Sequence, residues 1–341
     1  MVSPARNILQ IGFGNFGPTH LAAWRALGLA DGLHVVDPGE GARQRCRALG
    51  LPADRVGAEL EEFLEQVDLV VVLAPTDRHF EVCEPLLKTS KHLFIEKPMT
   101  ATLAEAKGLA ALCGGQIVQV GFYFRAHPLA RRVKREVESG ALGELRYVSA
   151  RFHGFKRARG DSGVVGNDAV HFIDQANWMM GTLPVAVDAV TRDHFCRGYD
   201  DLALIRLFYP SGAIANIEVG CIQPGRWNDN IVPGSTQTKE FVVAGSEGAA
   251  EIDYQTSELR LHRVRHELID GLWRPNNRGV ELPHEAIVEP FEVVAGEFAA
   301  FLEAVDGMAP VLAGIEECGV GMARVLDAIH RSANQEKRIN L

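Results

Sequence analysis

The chain has 341 residues, 47% hydrophobic and 23% charged, with a formal net charge of −9. That length predicts two globular domains, since single cores stop growing near ~250–300 residues, and that charge argues against the basic surface nucleic-acid binding requires. No apolar run approaches the ~18 residues that span a bilayer, and Met1-Val2-Ser3-Pro4-Ala5-Arg6 leaves no room for a cleavable signal, so the expectation is a cytoplasmic protein with no membrane insertion.

From Asn7 to Gly121 short apolar runs alternate with amphipathic stretches. Ile8–Ile11, Leu33–Val36, Leu69–Leu73, Leu93–Ile95 and Ile117–Val120 predict strands, and Thr19–Leu29, Gly41–Leu49, His79–Leu87 and Leu103–Leu112 predict helices between them. This is the pattern of βαβ units around a parallel sheet. Past Gly121 the pattern changes. Leu129–Val137 and Asp168–Met180 read as helices and Leu145–Phe155 as a strand. Ala186–Thr191, Leu202–Phe208, Ala213–Val219, Phe241–Val243 and Leu259–Arg263 follow as strands broken by Gly, Pro and Asn, which predicts a largely antiparallel sheet. Ile222–Gln237 is too long and polar for a routine hairpin and reads as a functional loop or a subunit contact, with Trp227 able to stack on a base or on a neighbouring subunit. Phe291–Val305 and Ile315–Ser332 read as closing helices. The fold class is therefore α/β: an N-terminal dinucleotide-binding type of domain over 1–121, then an α+β domain over 122–341 with a large, mainly antiparallel, open-faced sheet. The six cysteines are widely spaced, with no CxxC and no His/Cys ligand spacing, so no metal site is expected.

Gly12-Phe13-Gly14-Asn15-Phe16-Gly17 follows the first predicted strand and opens the first predicted helix. In that setting Gly12 allows the tight turn, Gly14 lets backbone approach a pyrophosphate, and Gly17 lets helix and strand pack closely, with the helix N-terminus facing the phosphates. Asp37, twenty residues after Gly17, ends the second strand, where its carboxylate can accept from a ribose diol and repel a 2′-phosphate. NAD is thus favoured over NADP, although Arg43 and Arg45 follow closely and could face the ribose. Ala74-Pro75-Thr76 ends the third long strand and should pass under the ribose and pyrophosphate. His79 either contacts the cofactor or begins the next helix, with Thr76 or Asp77 as cap. Phe94-Ile95-Glu96-Lys97-Pro98 closes another apolar run. By itself it reads equally as a surface Lys-Pro turn or as a lysine held at a strand's carboxyl end, beside the dinucleotide crevice.

With Gly12–Gly17, Asp37, Ala74-Pro75-Thr76 and Glu96-Lys97-Pro98 in this order, the chain resembles the glucose-fructose oxidoreductase, inositol dehydrogenase and rhizopine catabolism family, written Gfo/Idh/MocA, over nearly its whole length. The resemblance implies a Rossmann domain, Lys97 beside the nicotinamide and the substrate hydroxyl, and a cis bond between Lys97 and Pro98. The family's second signature, an Asp four residues before a His, falls on Asn167 and His171, with Asp168 one step on. Asn167 can position a hydroxyl but cannot take its proton, so His171 is the expected base and Asp174 shares its helical face. The competing reading makes Asn167 or Asp168 a helix cap and His171 a core residue.

Arg151, Lys156, Arg157 and Arg159 precede that helix and suit a diphosphate, or else a solvated basic loop. Gln119 through Pro128, and Ser149-Ala150-Arg151 through Gly163-Val164-Val165 to Asp174, resemble the branch that oxidises the 3-hydroxyl of UDP-N-acetylglucosamine. This implies that Arg125, Arg157 and Arg159 contact a UDP-sugar along with Asn167, Asp168 and His171, that the keto product suits a sugar aminotransferase in cell-envelope lipopolysaccharide synthesis, and that the chain forms a homodimer or homotetramer. Oxidation of a free sugar or inositol, and a non-catalytic NAD-binding sensor or co-repressor, are the alternatives.

Overall fold

Leu69–Val72 has no polar position, so its strand must lie in a sheet covered on both faces. The computed structural model describes residues 6–156, 158–160, 162–228, 234–284 and 287–341. Its first sheet has six strands, β1 (Ile8–Ile11), β2 (Leu33–Val36), β3 (Val56–Gly57), β4 (Leu69–Val72), β5 (His92–Glu96) and β6 (Val118–Gly121), all parallel in the order β3-β2-β1-β4-β5-β6. That is the doubly wound dinucleotide-binding order, with the crevice where the winding reverses, at β1 and β4. The helices α1 (Gly17–Ala26), α2 (Glu40–Ala48), α3 (His79–Leu87) and α4 (Leu103–Leu112) connect the strands, and the short α5 (Tyr123–Ala126) follows β6.

The chain divides into two units, one running through Ala126 and including Val288–Ala323, the other made of His127–Ile287 and Arg324–Leu341. This departs from the sequence-based boundary, which places everything after residue 121 in the second domain. The difference lies in α8 (Pro290–Val305), whose apolar side completes the first core: Phe298 stacks on Trp24 at 3.8 Å and meets Phe94 edge-on at 5.1 Å. Trp24, Phe94, Phe298 and Phe301 are fully buried, so the returning helix closes a core that the preceding helices leave open.

In the second unit α6 (Pro128–Glu138) precedes β7 (Leu145–His153), and a π-helical turn at Val165–Ala169 leads into α7 (Val170–Met180). There follow β8 (Ala186–Arg192), β9 (Leu202–Phe208), β10 (Ile214–Gly220), β11 (Trp227–Asn228), β12 (Thr236–Gly245), β13 (Ala249–Asp253), β14 (Glu258–Ile269) and β15 (Leu272–Glu281), with α9 (Met322–Gln335) and β16 (Ile339–Asn340) at the end. The sheet order is β15-β14-β13-β12-β7-β10-β9-β8-β16, with β11 on β12, and only β7 and β10 run parallel. Periodicity does not reveal β15, whose Arg274-Pro275-Asn276-Asn277-Arg278-Gly279 reads as a loop; as the outermost strand it tolerates a proline with no N–H to give.

One face of this sheet carries α7. Phe172 packs against Phe152 and Phe241 at 6.1 and 6.0 Å. The opposite face is open, and Tyr147, Val190 and Leu204 stand there 40%, 44% and 48% exposed.

Candidate active site

In the first unit, strand ends and glycines place the predicted residues together. Gly12 sits at φ +97°, and a β-carbon there would lie 2.9 Å from the Leu73 carbonyl, so the turn after β1 admits no side chain. A β-carbon at Gly14 would meet nothing within 4 Å, which leaves backbone open to a ligand. At Gly17 a β-carbon would fall 2.8 Å from the Phe13 ring, so the close neighbour is a side chain rather than a strand backbone. Asn15 is exposed, Phe16 is half-buried against His20 at 5.0 Å, and no side chain caps α1, whose first turn is closed by backbone instead, with Gly17 donating to the Gly14 carbonyl and Thr19 to that of Phe16. The loop fits a dinucleotide.

Asp37 Oδ2 accepts from the Phe13 N–H at 2.7 Å and Oδ1 from the Gly39 N–H at 2.8 Å. Its carboxylate is thereby aimed across the glycine loop. Arg43 is engaged by Glu40 at 2.6 Å and by the Asp37 carbonyl at 2.7 Å, and Arg45 donates to the Phe13 carbonyl at 2.9 Å. These contacts draw both guanidinium groups onto acceptors of the chain itself, which supports NAD over NADP. The pairing with Arg43 also holds the Glu40 carboxyl below its usual range.

Lys97 follows β5, with its N–H donating to Glu96 Oε2 at 3.2 Å, and the Lys97-Pro98 bond is cis. Glu96 Oε1 lies 3.2 Å from Nε2 of the fully buried His20. The Ala74-Pro75-Thr76 turn leads through a single 3-10 turn into α3, which begins at His79. Neither Thr76 nor Asp77 caps that helix. His79 is instead 1% exposed, with Nε2 2.7 Å from the Ala74 carbonyl oxygen and Nδ1 3.1 Å from that of Pro98. Burial pushes its pKa down against the opposing pull of the Ala74 carbonyl.

Arg125, expected on the nucleotide sugar, takes a different place. It is 3% exposed and donates to the Leu312 carbonyl at 2.9 Å and to Glu317 at 2.8 Å, tying β6's exit to a second π-helical turn, Ile315–Gly321. Spacing from Gly121 could not reveal a partner so far along the chain.

In the second unit, the Gly163-Val164-Val165 run has a local cause. Asp200 Oδ2 accepts from the Val165 N–H at 2.7 Å and the Asp200 carbonyl from the Val164 N–H at 3.0 Å, while a β-carbon on Gly163 would fall 2.2 Å from Asp200 Oδ1. Asp200, whose pKa burial raises, thus sets the start of the π-helical turn that carries Asn167 and Asp168. Nothing in the sequence around it marks that role. Asn167 Nδ2 donates to Ser162 Oγ at 2.7 Å, and the half-buried His171 lies in the first turn of α7, with the buried Asp174 one turn on.

Within the basic cluster, Lys156 and Arg151 take separate partners. Lys156 Nζ is 2.7 Å from Asp168 Oδ2, each side chain 13% exposed, and stands 3.8 Å above the Phe152 ring. Asp168 is therefore an ion-pair partner before it is a substrate ligand. Arg151 pairs with Glu218 at 3.8 Å on the open face of the sheet, opposite the face that carries α7. Alternation along β7 explains this, since Val148, Ala150 and Phe152 point into the core and Arg151 cannot. Arg159 is exposed and its carbonyl accepts from Arg197; Arg157 lies outside the described residues. Trp227 donates to Asp253 at 3.4 Å within its own sheet. Among the described residues no cluster of His, Cys, Asp and Glu could hold a metal ion, and no helix is long and apolar enough to cross a membrane.

Fold and glycine loop together define a dinucleotide-binding protein with a Rossmann unit and a mainly antiparallel α+β unit. Residues 6–124 match the family model for the oxidoreductase family with an NAD-binding Rossmann fold, and residues 130–251 match the GFO/IDH/MocA C-terminal domain. The chain belongs to the GFO/IDH/MocA family. It is 28% identical to scyllo-inositol 2-dehydrogenase (NAD(+)) of Bacillus subtilis over 56% of this chain and 59% of that protein. It is 24% identical to UDP-N-acetylglucosamine 3-dehydrogenase of Acidithiobacillus ferrooxidans over 93% of each. An inositol dehydrogenase homolog from Azotobacter vinelandii, solved with NADH and myo-inositol, shares the fold with a TM-score of 0.78 at 20% identity, covering 100% of this chain and 99% of that one.

Proposed function

We propose that this protein is an NAD-dependent dehydrogenase that oxidises a secondary hydroxyl of a sugar or polyol to the ketone. The observation that carries the reading is the position of Lys97, at the carboxyl end of a strand adjacent to β4, whose own end abuts the glycine loop. NAD, held by the glycine loop and Asp37, would supply the hydride acceptor for the carbinol carbon. Lys97 places a cation where the alkoxide develops, which stabilises the transition state more than the neutral alcohol. His171, as neutral imidazole, takes the hydroxyl proton, and Asn167 orients the hydroxyl without titrating. Alcohol and NAD become ketone, NADH and one proton on imidazole.

Within this class we assign C3 of UDP-N-acetylglucosamine as the first substrate to test. A relative with that activity runs along 93% of both chains. Such a 3-keto sugar nucleotide would suit an aminotransferase as the consuming enzyme. Oxidation of a free polyol is the second reading, and the engagement of Arg125 by Glu317 and of Lys156 by Asp168 favours it, because two of the cations expected on a UDP-sugar already have carboxylate partners. Mixing the protein and NAD with UDP-N-acetylglucosamine, UDP-glucose, glucose or myo-inositol, with a trap for the ketone, separates the two: NADH formed only with the first supports the nucleotide sugar, and NADH formed only with the free compounds removes it. The open face with Tyr147, Val190 and Leu204 supports a homodimer or homotetramer, which sedimentation at micromolar concentration tests.

A further inference from the structure

His79 stands between the two turns that matter most in the first unit. From a single rigid ring, Nε2 faces the Ala74 carbonyl at 2.7 Å while Nδ1 faces the carbonyls of Pro98 and Met99 at 3.1 and 3.2 Å. Ala74 follows β4, and Pro98 follows Lys97 at the end of β5. The glycine loop joins the same chain of contacts, because a β-carbon on Gly12 would lie 2.9 Å from the Leu73 carbonyl and 3.1 Å from the Ala74 nitrogen. At 1% exposure, with both ring nitrogens directed at main-chain oxygens, His79 is not placed as a ligand of the cofactor.

We propose that His79 is a positioning residue that holds the Lys97 turn in register with the Ala74 turn, so that filling the dinucleotide crevice and placing the lysine are one event. A histidine suits this task because one ring nitrogen donates its N–H to a carbonyl of one turn while the rigid plane of the ring, which loses little freedom on burial, keeps the other nitrogen at contact distance from the other turn. The inference rests on the reading of Lys97 as the group at the reacting hydroxyl. Coupling of this kind is reciprocal: whatever NADH does to the Lys97 turn, the turn does to NADH affinity.

Two substitutions divide the contacts. His79→Gln keeps an amide near the Nε2 position, facing Ala74, and His79→Asn keeps one near Nδ1, facing Pro98 and Met99. NADH affinity is measured by fluorescence titration, and Lys97 reactivity by acetylation with acetic anhydride and mass spectrometry, with and without NADH. We expect NADH to change the acetylation rate of Lys97 in the unsubstituted protein. In both variants that linkage should shrink about three- to tenfold, the equivalent of one hydrogen bond. NADH affinity should fall in His79→Asn and stay within about threefold in His79→Gln. In the variant that releases the Lys97 turn, His79→Gln, turnover should drop about 10²-fold at unchanged sugar KM, as a small misplacement of a reacting group does.

Wild-type linkage in either folded variant overturns the proposal. So does a Lys97 acetylation rate that NADH leaves unchanged in the unsubstituted protein, a result that stands even where both variants fail to fold by thermal melt. Binding and acetylation use no sugar. A Lys97→Met protein that still oxidised sugar would therefore remove the catalytic reading while leaving these measurements to judge His79.

Discussion

The glycine loop and strand-end turns of the first unit differ sharply from the basic residues that precede α7 in the second. In the first, residues suited to the chemistry stand at strand ends and are braced by backbone: Gly12 by its left-handed φ, Asp37 by two N–H groups, His79 by its buried seat among the Ala74, Pro98 and Met99 carbonyls. In the second, Lys156 is bound to Asp168 and Arg151 stands on the far face of its sheet. A motif that works through backbone geometry survives translation into three dimensions, whereas a run of like charges is redistributed by strand parity and by whichever counter-charge the fold brings near.

The largest expected effect comes from the braced side. Lys97→Met should lower turnover about 10³-fold, the scale for removing a group that stabilises developing charge, with NAD affinity within a few-fold by calorimetry. Equal losses in turnover and in NAD affinity would make the lysine a cofactor ligand instead.

Lys156→Met probes the redistributed side. It leaves the buried Asp168 carboxylate without its cation, at a cost of about 3 kcal/mol in urea unfolding. An increase in KM for a UDP-sugar at unchanged stability would return Lys156 to the substrate. A smaller loss is expected for Arg125→Met, about 1–3 kcal/mol from the orphaned Leu312 carbonyl and Glu317 contacts, with sugar KM unchanged. The smallest is Arg151→Ala, within about 0.5 kcal/mol, since its pairing with Glu218 is half exposed; any change should appear in sedimentation rather than in kinetics.

How far these features can be read from sequence follows the same division. The parallel strands are visible because Leu69–Val72 is an unbroken apolar run and its neighbours are mostly apolar, and α3 and α4 match their predicted spans because apolar residues recur at three- and four-residue steps, even past Pro85 in α3. Strand β15 is hidden by Pro275 and Gly279, which only an edge position explains. The return of α8 to the first core depends on Trp24 finding Phe298, a pairing across most of the chain. His79 is visible as a helix start, but its ties to Pro98 and Met99 join separate strand ends that no local pattern connects. Asp200 carries no motif at all, and its importance lies in the Val165 N–H it accepts.

The most direct test of the central claim is NADH formation by the purified protein with NAD and each of UDP-N-acetylglucosamine, UDP-glucose, glucose and myo-inositol, in parallel with Lys97→Met. NADH is expected from at least one of them, dependent on NAD in preference to NADP, and almost none from the variant. A Lys97→Met protein that turns over at the unsubstituted rate would contradict that claim.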